Sequence, residues 1–327
     1  MSEPMYEFAT IVGNKIRELE QKNLELTAKV LALEETIDPV LANNSWALIS
    51  KVGAYGCGEY FWDIGDTKGV LINGTVGTLA LNDTYYAYII DFNYRGDNGV
   101  YMQLGKTAGG VRIAFVDSHY GNASSDGSKW FNINHWGTDG SPYNTKLGGW
   151  AACDLRYDIL GSTNIAPSGY GAVKTANATG YDATVAAKTS PVSNTLMAAL
   201  ASDLVAALSP WSVWTDNSGS TQNVEINITS TIDYLPLLSE FEVFGSSIRS
   251  NIYESKKQNQ MIYYKNGNST VAYNFSSLTQ ARGVFLRSPR IDSSYYFCTI
   301  NSSGLIASSS TQNSSGISPA FRLAEAS

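Results

Sequence analysis

A heptad pattern near the N-terminus constrains this chain more than anything else in it. Apolar side chains recur at Met5, Val12, Leu19, Leu26 and Leu33, and again at Ala9, Ile16, Val30 and Ile37. Asn23 is the single polar member of the two series. The spacing alternates three and four, which is the a/d seam of a coiled coil. A strict period of 3.5 implies a left-handed supercoil. Residues 1–38 are therefore expected to be an oligomerisation helix, with Val12, Ile16, Leu19, Asn23, Leu26, Val30, Leu33 and Ile37 at the interface. Lys15 and Glu20, and Lys29 and Glu34, occupy g and following e positions, which meet across a parallel interface. Branched residues and one Asn at a, with Leu at d, favour two strands. Pro39 is expected to end the helix, because residue 38 is pushed out of the α region. The competing reading is an amphipathic helix docked on its own domain.

Composition changes sharply after residue 38. The first 38 residues hold 12 of the charged side chains, whereas the remaining 289 hold 39 and are rich in Gly, Asn, Ser, Thr and Tyr. This is a second region, 39–327, long enough for a large core. Net charge is -7 and there is no basic run, so nucleic-acid binding is not expected. No apolar run has the length of a membrane span, and the acidic start Met1-Ser2-Glu3-Pro4 does not read as a signal peptide. Cys57, Cys153 and Cys298 are isolated and odd in number. They read as buried free thiols of a protein made in a reducing compartment.

Short strands are expected at Trp46–Ile49, Val70–Ile72, Thr78–Leu81, Tyr85–Phe92 and Val111–Val116, with hairpin turns at Asn73-Gly74 and Asn82-Asp83. Residues 137–181 read as loop-rich. Ser193 is expected to cap a helix over Thr195–Leu200, Ser202 one over Asp203–Leu208, and Pro236 to open one over Leu237–Phe244. Tyr253–Tyr264 fits strand or helix equally. The tail reads as strands at Val284–Leu286, Tyr296–Ile300, Gly304–Ile306 and Ile317–Leu323. The fold class is α+β, with short strands and long loops.

Catalytic and metal motifs are absent from the pattern. The two histidines, His119 and His135, make no HExxH and no metal-spaced pair. There is no nucleophile elbow and no P-loop. Trp62-Asp63-Ile64-Gly65-Asp66 lacks the alternating acids of a calcium loop and reads as a structural turn. Asp63 with Asp66, Asp154 with Asp158, and Glu240 with Glu242 are the acidic pairs a glycoside hydrolase could use. Asp154, Arg156 and Asp158 read rather as an internal salt-bridge network. No metal or cofactor is expected.

Residues 290–316 are the most unusual stretch, with nine Ser, two Asn, two Thr and the pair Tyr295-Tyr296, and only Arg290 and Asp292 charged. Phe297, Ile300, Ile306, Ile317 and Phe321 read as core anchors, and the polar clusters between them as loops on one face. Tyr with Ser and Asn is the composition of antibody paratopes, where Tyr supplies rigid amphipathic area and Ser and Asn supply adaptable hydrogen bonds. A plain solvated loop set is the alternative.

Several blocks resemble one family. Trp62-Asp63-Ile64-Gly65-Asp66, Phe131-Asn132-Ile133-Asn134-His135-Trp136-Gly137, the run from Gly149-Trp150 through Asp154-Leu155-Arg156 to Leu160-Gly161, and Leu238-Ser239-Glu240-Phe241-Glu242-Val243-Phe244-Gly245 resemble a domain of gut Firmicutes and their phages. So do Leu286-Arg287-Ser288-Pro289, Phe297-Cys298, Gly304 and Gly316-Ile317-Ser318-Pro319-Ala320-Phe321. That family is C-type-lectin-like toward its C-terminus, and some members resemble the variable proteins of diversity-generating retroelements, phage tail receptor-binding proteins among them.

The resemblance implies a C-type-lectin-like C-terminal domain whose ligand face lies between the last two frames, at 290–315. It implies as ligand-binding residues Arg290, Ile291, Asp292, Ser294, Tyr295, Tyr296, Thr299, Asn301, Ala307, Ser308, Ser309, Ser310 and Asn313. Most of these belong to the residue set that adenine-directed codon mutagenesis produces; Gln312 does not. Calcium-dependent sugar binding is not implied, since Trp214-Thr215-Asp216 is the nearest approach to the lectin calcium motifs. The paired copper-binding cysteines of formylglycine-generating enzymes have no counterpart.

The expected function is adhesion without chemistry. A phage-tail or similar surface-display protein would bind a host-surface protein or glycan through the 290–315 face. It would work in the virion tail or at an extracellular surface after cytoplasmic synthesis. Its N-terminal end would join other tail or virion proteins. The family resemblance favours a homotrimer where the heptads alone favour a dimer. A carbohydrate-active enzyme and a structural tail component without ligand are the alternatives.

Overall fold

A computed structural model of the chain describes residues 3–34, 36–115, 133, 145–164, 182–275, 277–311, 313 and 315–325. His119 and His135, and most of the block around Trp136, lie outside these residues. The described chain is mixed helix and β, with a long N-terminal helix followed by curled sheets.

Helix α1 spans Glu3–Glu34 and has two distinct faces. Ala28 and Leu31 are buried and Leu24 packs partly against the core, an i, i+4, i+7 stripe that seats the helix on the body. Gln21 adds a hydrogen bond to the Tyr60 hydroxyl at 2.7 Å. The heptad residues lie elsewhere on the helix: Val12, Ile16, Leu19, Leu26 and Val30 are exposed, Ile16 and Leu19 by 50% and 51%. Lys15 and Lys29 form ion pairs within the helix, to Glu18 and Glu25.

The helix stops four residues short of the expected boundary, and Ile37 packs against the core of its own body. The cause is Asp38. Its amide donates to the Asn44 side chain, its carbonyl accepts from Asn44 and the Trp62 indole, and its carboxylate takes the Val40 amide. Those bonds require a non-helical approach well before Pro39.

Helix α2, Trp46–Ala54, replaces the strand expected over Trp46–Ile49. The Ser45 hydroxyl accepts from the Leu48 amide at its N-terminus, and Trp46, Ile49, Ser50, Val52 and Gly53 form its buried stripe. Four apolar-rich residues fit either period, and the Ser cap settles it as helix.

Strands β1, Thr67–Val76, and β2, Leu79–Phe92, form one long hairpin in unbroken register from Thr67 opposite Tyr88 to Val76 opposite Leu79. The turn is Gly77-Thr78, with Gly77 at φ 61. Both expected turns lie inside the ladder, where Asn73 faces Asn82 and Gly74 faces Leu81. Burial fixes this register, since Val70, Ile72 and Val76 all point into the core.

The remaining strands are β3 Val100–Lys106, β4 Ile113–Ala114, β5 Leu208–Ser209, β6 Trp211–Asp216, β7 Ile228–Asp233, β8 Ala272–Asn274, β9 Ser277–Arg282, β10 Val284–Pro289, β11 Tyr296–Ile300, β12 Ile306–Ser310 and β13 Ala320–Leu323. The main sheet has the order β1-β2-β3-β13-β5, and β13 is antiparallel to both neighbours. Smaller sheets are β10-β11-β12, β4-β8-β9 and β6-β7.

Short helices fill the connections: α3 Ala186–Thr189, α4 Leu196–Ala199, α5 Ser202–Ala207, α6 Glu240–Phe244 and α7 Ile262–Lys265. Thr195, not Ser193, caps α4, and Ser202 lies inside α5 rather than before it. Helix α6 opens at Ser239, not at Pro236, through a reciprocal capping box with Glu242, and closes on Gly245 at φ 67. Residues 252–256 form a 3₁₀ turn and α7 follows, so Tyr253–Tyr264 is helical in two pieces.

One buried ion pair locks the middle of the body. Arg156, on the π-helical turn Leu155–Ile159, meets Asp233 at 2.5 Å, and Asp233 also accepts from Ser162, Thr231 and the Trp150 indole. The partner of Arg156 here is thus 77 residues away in sequence. The three cysteines are free and buried. Asp63 and Asp66 bracket a turn closed by two hydrogen bonds, with Gly65 at φ 97.

Candidate functional site

The 290–315 segment grows out of β10, and β10 is anchored by charge. Arg287 makes a two-pronged pair with Glu242 of α6, at 2.6 and 2.7 Å, and donates to the Leu237 carbonyl at 2.7 Å. Both side chains are fully enclosed. The next residue, Ser288, accepts from the Glu240 amide and donates to Glu254. Glu254 also takes the Thr215 hydroxyl at 2.6 Å. Burial pushes the Glu254 carboxyl up to about 7.

Glu240 caps the chain reversal beyond α6 by accepting from the Ile248, Arg249 and Ser250 amides. The Cys298 thiol of β11 lies against the same carboxylate, and burial raises it well above the ordinary thiol range. A chain of polar contacts therefore runs from α6 through β10 to β11, beneath the segment of interest.

Above this base, residues 290–295 are pinned on every side. The Arg290 amide donates to the Tyr296 carbonyl, the Ile291 amide to the Arg249 carbonyl, and the Thr311 amide to the Tyr295 carbonyl. Lys146 reaches in from outside: its amide bonds the Ser294 carbonyl, and its ammonium bonds the carbonyls of Arg290 at 2.6 Å and Ser220 at 2.8 Å. Burial pushes that ammonium down to about 8.

The side chains presented on this frame form one compact group. The Arg290 guanidinium forms an ion pair with Asp292, donates to the Ser308 hydroxyl at 3.0 Å, and stacks over the Tyr296 ring at 5.6 Å. Its hydrogen bond holds the Asp292 carboxyl below the usual range. Tyr295 stands edge-on to Tyr296, with ring centroids 4.6 Å apart. Tyr295 is 37% exposed and Asp292 and Ser294 are also exposed, so the group is open to a partner.

The expected site residues thus separate into groups. Arg290, Ile291, Asp292, Ser294, Tyr295, Tyr296 and Ser308 lie together. Ala307–Ser310 belong to β12 rather than to a loop, paired with β11 from Tyr296 opposite Ser310 to Thr299 opposite Ala307. Ala307 and Ser309 remain half-buried, but Thr299 and Ser310 are buried. Asn301 sits at the far end of the hairpin, where its side-chain oxygen accepts from the Ser303 and Leu305 amides and shapes the turn. It is a strand length, about 17 Å, from the Tyr295 end. Asn313 is exposed beyond β12, its amide bonded to the Ser310 carbonyl.

Lys146 and Arg249 were not foreseen as supports of this face. No local pattern signals them, because Lys146 donates to backbone carbonyls of a distant segment and Arg249 offers its own carbonyl to the distant Ile291 amide. Three of the acids weighed for hydrolysis are committed to structure. Glu240 and Glu242 are buried cap and ion-pair partners, and Asp66 closes its own turn. Asp216 binds Asn251 and Ser218. Among the described residues, no three His, Cys, Asp or Glu side chains group as a metal site.

Comparison with known families finds one match: a family described as a domain of unknown function (DUF6273) matches residues 190–325. The matched stretch takes in α4 through β13, hence the whole of the β10-β11-β12 sheet, but not β1–β4. No curated protein and no solved structure matches the chain.

Proposed function

We propose that this chain is a multimeric receptor-binding protein that recognises a host-surface protein or glycan by contact alone. The observation that carries the reading is the Arg290–Asp292–Tyr295–Tyr296–Ser308 group. Aromatic and guanidinium anchors stand open on a backbone held by Lys146, Arg249 and the Thr311 amide. Such anchors dominate binding energy at interfaces, and a pre-ordered frame lowers the entropy cost of using them. The finer fold assignment, a C-type-lectin-like domain, belongs to this proposal. So does placement in a phage tail or a similar surface-display assembly.

The exposed seam of Val12, Ile16, Leu19, Leu26 and Val30 supports assembly through α1 as a parallel coiled coil. Three copies are proposed, on the family resemblance. Heads joined at one end engage a surface together, with an avidity gain of ~10²–10⁴ over one head. No helix among the described residues is long and apolar enough to cross a membrane.

The test is a double variant, Arg290→Ala with Tyr295→Ala. Binding to intact host cells or to their surface extract should be lost. The melting temperature should hold, because a partly exposed ion pair and an exposed ring contribute about 1 kcal/mol or less to folding. Retained binding by the folded, assembled variant overturns the assignment of this face.

A further inference from the structure

A second concave feature lies apart from the strand face, where the β2–β3 connection meets α6 and α7. It is a cleft of about 890 Å³, within the range of small-ligand sites. Asp91 lines it at the end of β2 and is only 4% exposed. Its two oxygens accept from the Phe92 amide at 2.8 Å and the Ile262 amide at 3.1 Å. Each oxygen keeps a further lone pair for a donor.

Two cations also line the cleft, Arg95 and Lys265. Both are exposed, and neither has an ion-pair partner among the described residues. Arg95 is held at φ 57, and Asn93 two residues earlier at φ 49, both in the left-handed region that non-glycine residues seldom occupy. Asn93 is fixed there by bonds to the Gly56 carbonyl and the Gly99 amide. The Arg95 guanidinium lies over the Trp214 ring at 5.8 Å. Strained backbone that the surroundings hold in place is a feature of ligand sites.

The other walls are set in advance as well. The Tyr94 hydroxyl bonds both the amide and the carbonyl of Asn259, whose side chain is exposed. Gln260 donates to the Val243 carbonyl, which leaves its side-chain oxygen as an acceptor. Phe241 supplies an apolar surface.

These groups ask for a particular chemistry. The two cations outnumber the one carboxyl in the cleft and call for an anion, but a bare inorganic anion would leave the Asp91 oxygens without a donor. A ligand with hydroxyl donors satisfies Asp91 and Gln260, and a carboxylate on the same molecule satisfies the cations. The carbon face of a ring suits Phe241. We infer that this cleft is a second ligand site for an acidic sugar of the uronic or sialic type, its carboxylate meeting Arg95 and Lys265 and its hydroxyls donating to Asp91. The inference does not depend on the strand face being the receptor site.

The experiment titrates the full chain with glucuronic acid and N-acetylneuraminic acid, followed by saturation-transfer NMR. Glucose serves as the uncharged control and acetate as the charge-only control. At least one acidic sugar should bind in the millimolar range, with glucose and acetate about tenfold weaker or worse. Lys265→Gln should weaken the acidic sugar about tenfold with an unchanged melting curve. Asn259→Ala should weaken it as a second check. The Arg290→Ala, Tyr295→Ala variant should bind it as the parent does. Absence of binding by both acids at ~10 mM overturns the inference, as do equal binding of glucose and indifference to Lys265→Gln. Loss of sugar binding in the strand-face variant also overturns it, since the sugar would then sit elsewhere.

Discussion

Replacing Arg287 by Met removes the cation that ties β10 to α6, and the size of the effect follows from the geometry. Arg287 makes four charge-assisted bonds, two to Glu242 and one each to the Leu237 and Trp214 carbonyls, with the Arg287 and Glu242 side chains enclosed. The variant strands the Glu242 carboxylate in the interior with only the Ser239 amide and the Tyr94 hydroxyl for company. Breaking a buried pair from one side typically costs 3–5 kcal/mol, so about 4 kcal/mol is expected at neutral pH. The cost should shrink in acid, because a stranded carboxyl has its folded pKa raised. Its stability deficit is then absent below the unfolded pKa and grows as pH rises through the folded one. The double variant Arg287→Met, Glu242→Leu removes the stranded charge but also half of the α6 capping box. It should retain about 1–2 kcal/mol of the loss. Urea unfolding of the parent and the two variants, at pH 5 and pH 8, measures all of this. A single-variant loss below about 1 kcal/mol refutes the reasoning, and so does a double variant no more stable than Arg287→Met.

Other outcomes are expected. Ile16→Ser with Leu19→Ser should reduce the particle to a single chain in light scattering without moving the melting point of the body, whereas Leu31→Ala, on the docked face, should cost about 2–3 kcal/mol; an unchanged particle mass refutes the seam. Glu254, pushed up to about 7 by burial from an ordinary 4.5, holds a proton that the unfolded chain releases. Its contribution is fully present below pH 4.5 and lost as pH rises through 7, about 3 kcal/mol in all. Glu254→Gln should therefore flatten the fall in thermal stability between about pH 4.5 and 7, and equal slopes in parent and variant would count against it. Gly53→Ala places a methyl group in overlap with the Leu323 carbonyl oxygen, so α2 must shift against β13. A loss of about 1–3 kcal/mol is expected by calorimetry, and a neutral result means the contact is looser than drawn.

Local periodicity was the most readable level of this chain. The heptad seam at Val12, Ile16, Leu19, Leu26 and Val30 stands out because a 3.5-residue repeat is visible without any partner. The second stripe, Leu24, Ala28 and Leu31, belongs to the same helix but matters only once the body is present to cover it. Trp46–Ile49 misled because four residues are too few to separate a period of 2 from one of 3.6. Asn73-Gly74 carries good turn chemistry, yet burying Ile72 and Val76 on one face overrides it.

The site divides along the same line. Tyr295, Tyr296, Arg290 and Ser308 could be named from composition and from the flanking frames. Which of their neighbours would be enclosed could not. Thr299 lies on the opposite face of the hairpin from Ser308, whereas Ser310 shares that face with Ser308 and is covered where Ser308 is only half-buried. The supports were hidden for a different reason. Lys146, Arg249 and Glu242 reach the segment through contacts that span 42 (Ile291 to Arg249) to 148 (Ser294 to Lys146) residues of chain, and no spacing rule connects them.

Strand β13 has a consequence for how the protein is made. It occupies an interior position of the main sheet, between β3 and β5, although its residues are 320–323. While the ribosome is still short of residue 320, β3 and β5 each present an open flank to every other nascent chain nearby. The long hairpin and α2 can form early, but the sheet closes only after almost all of the described sequence has been translated. A body of this kind is exposed to mispairing throughout its synthesis and gains protection in a single late step. Release of β13 from the ribosome should accordingly coincide with the onset of protease resistance.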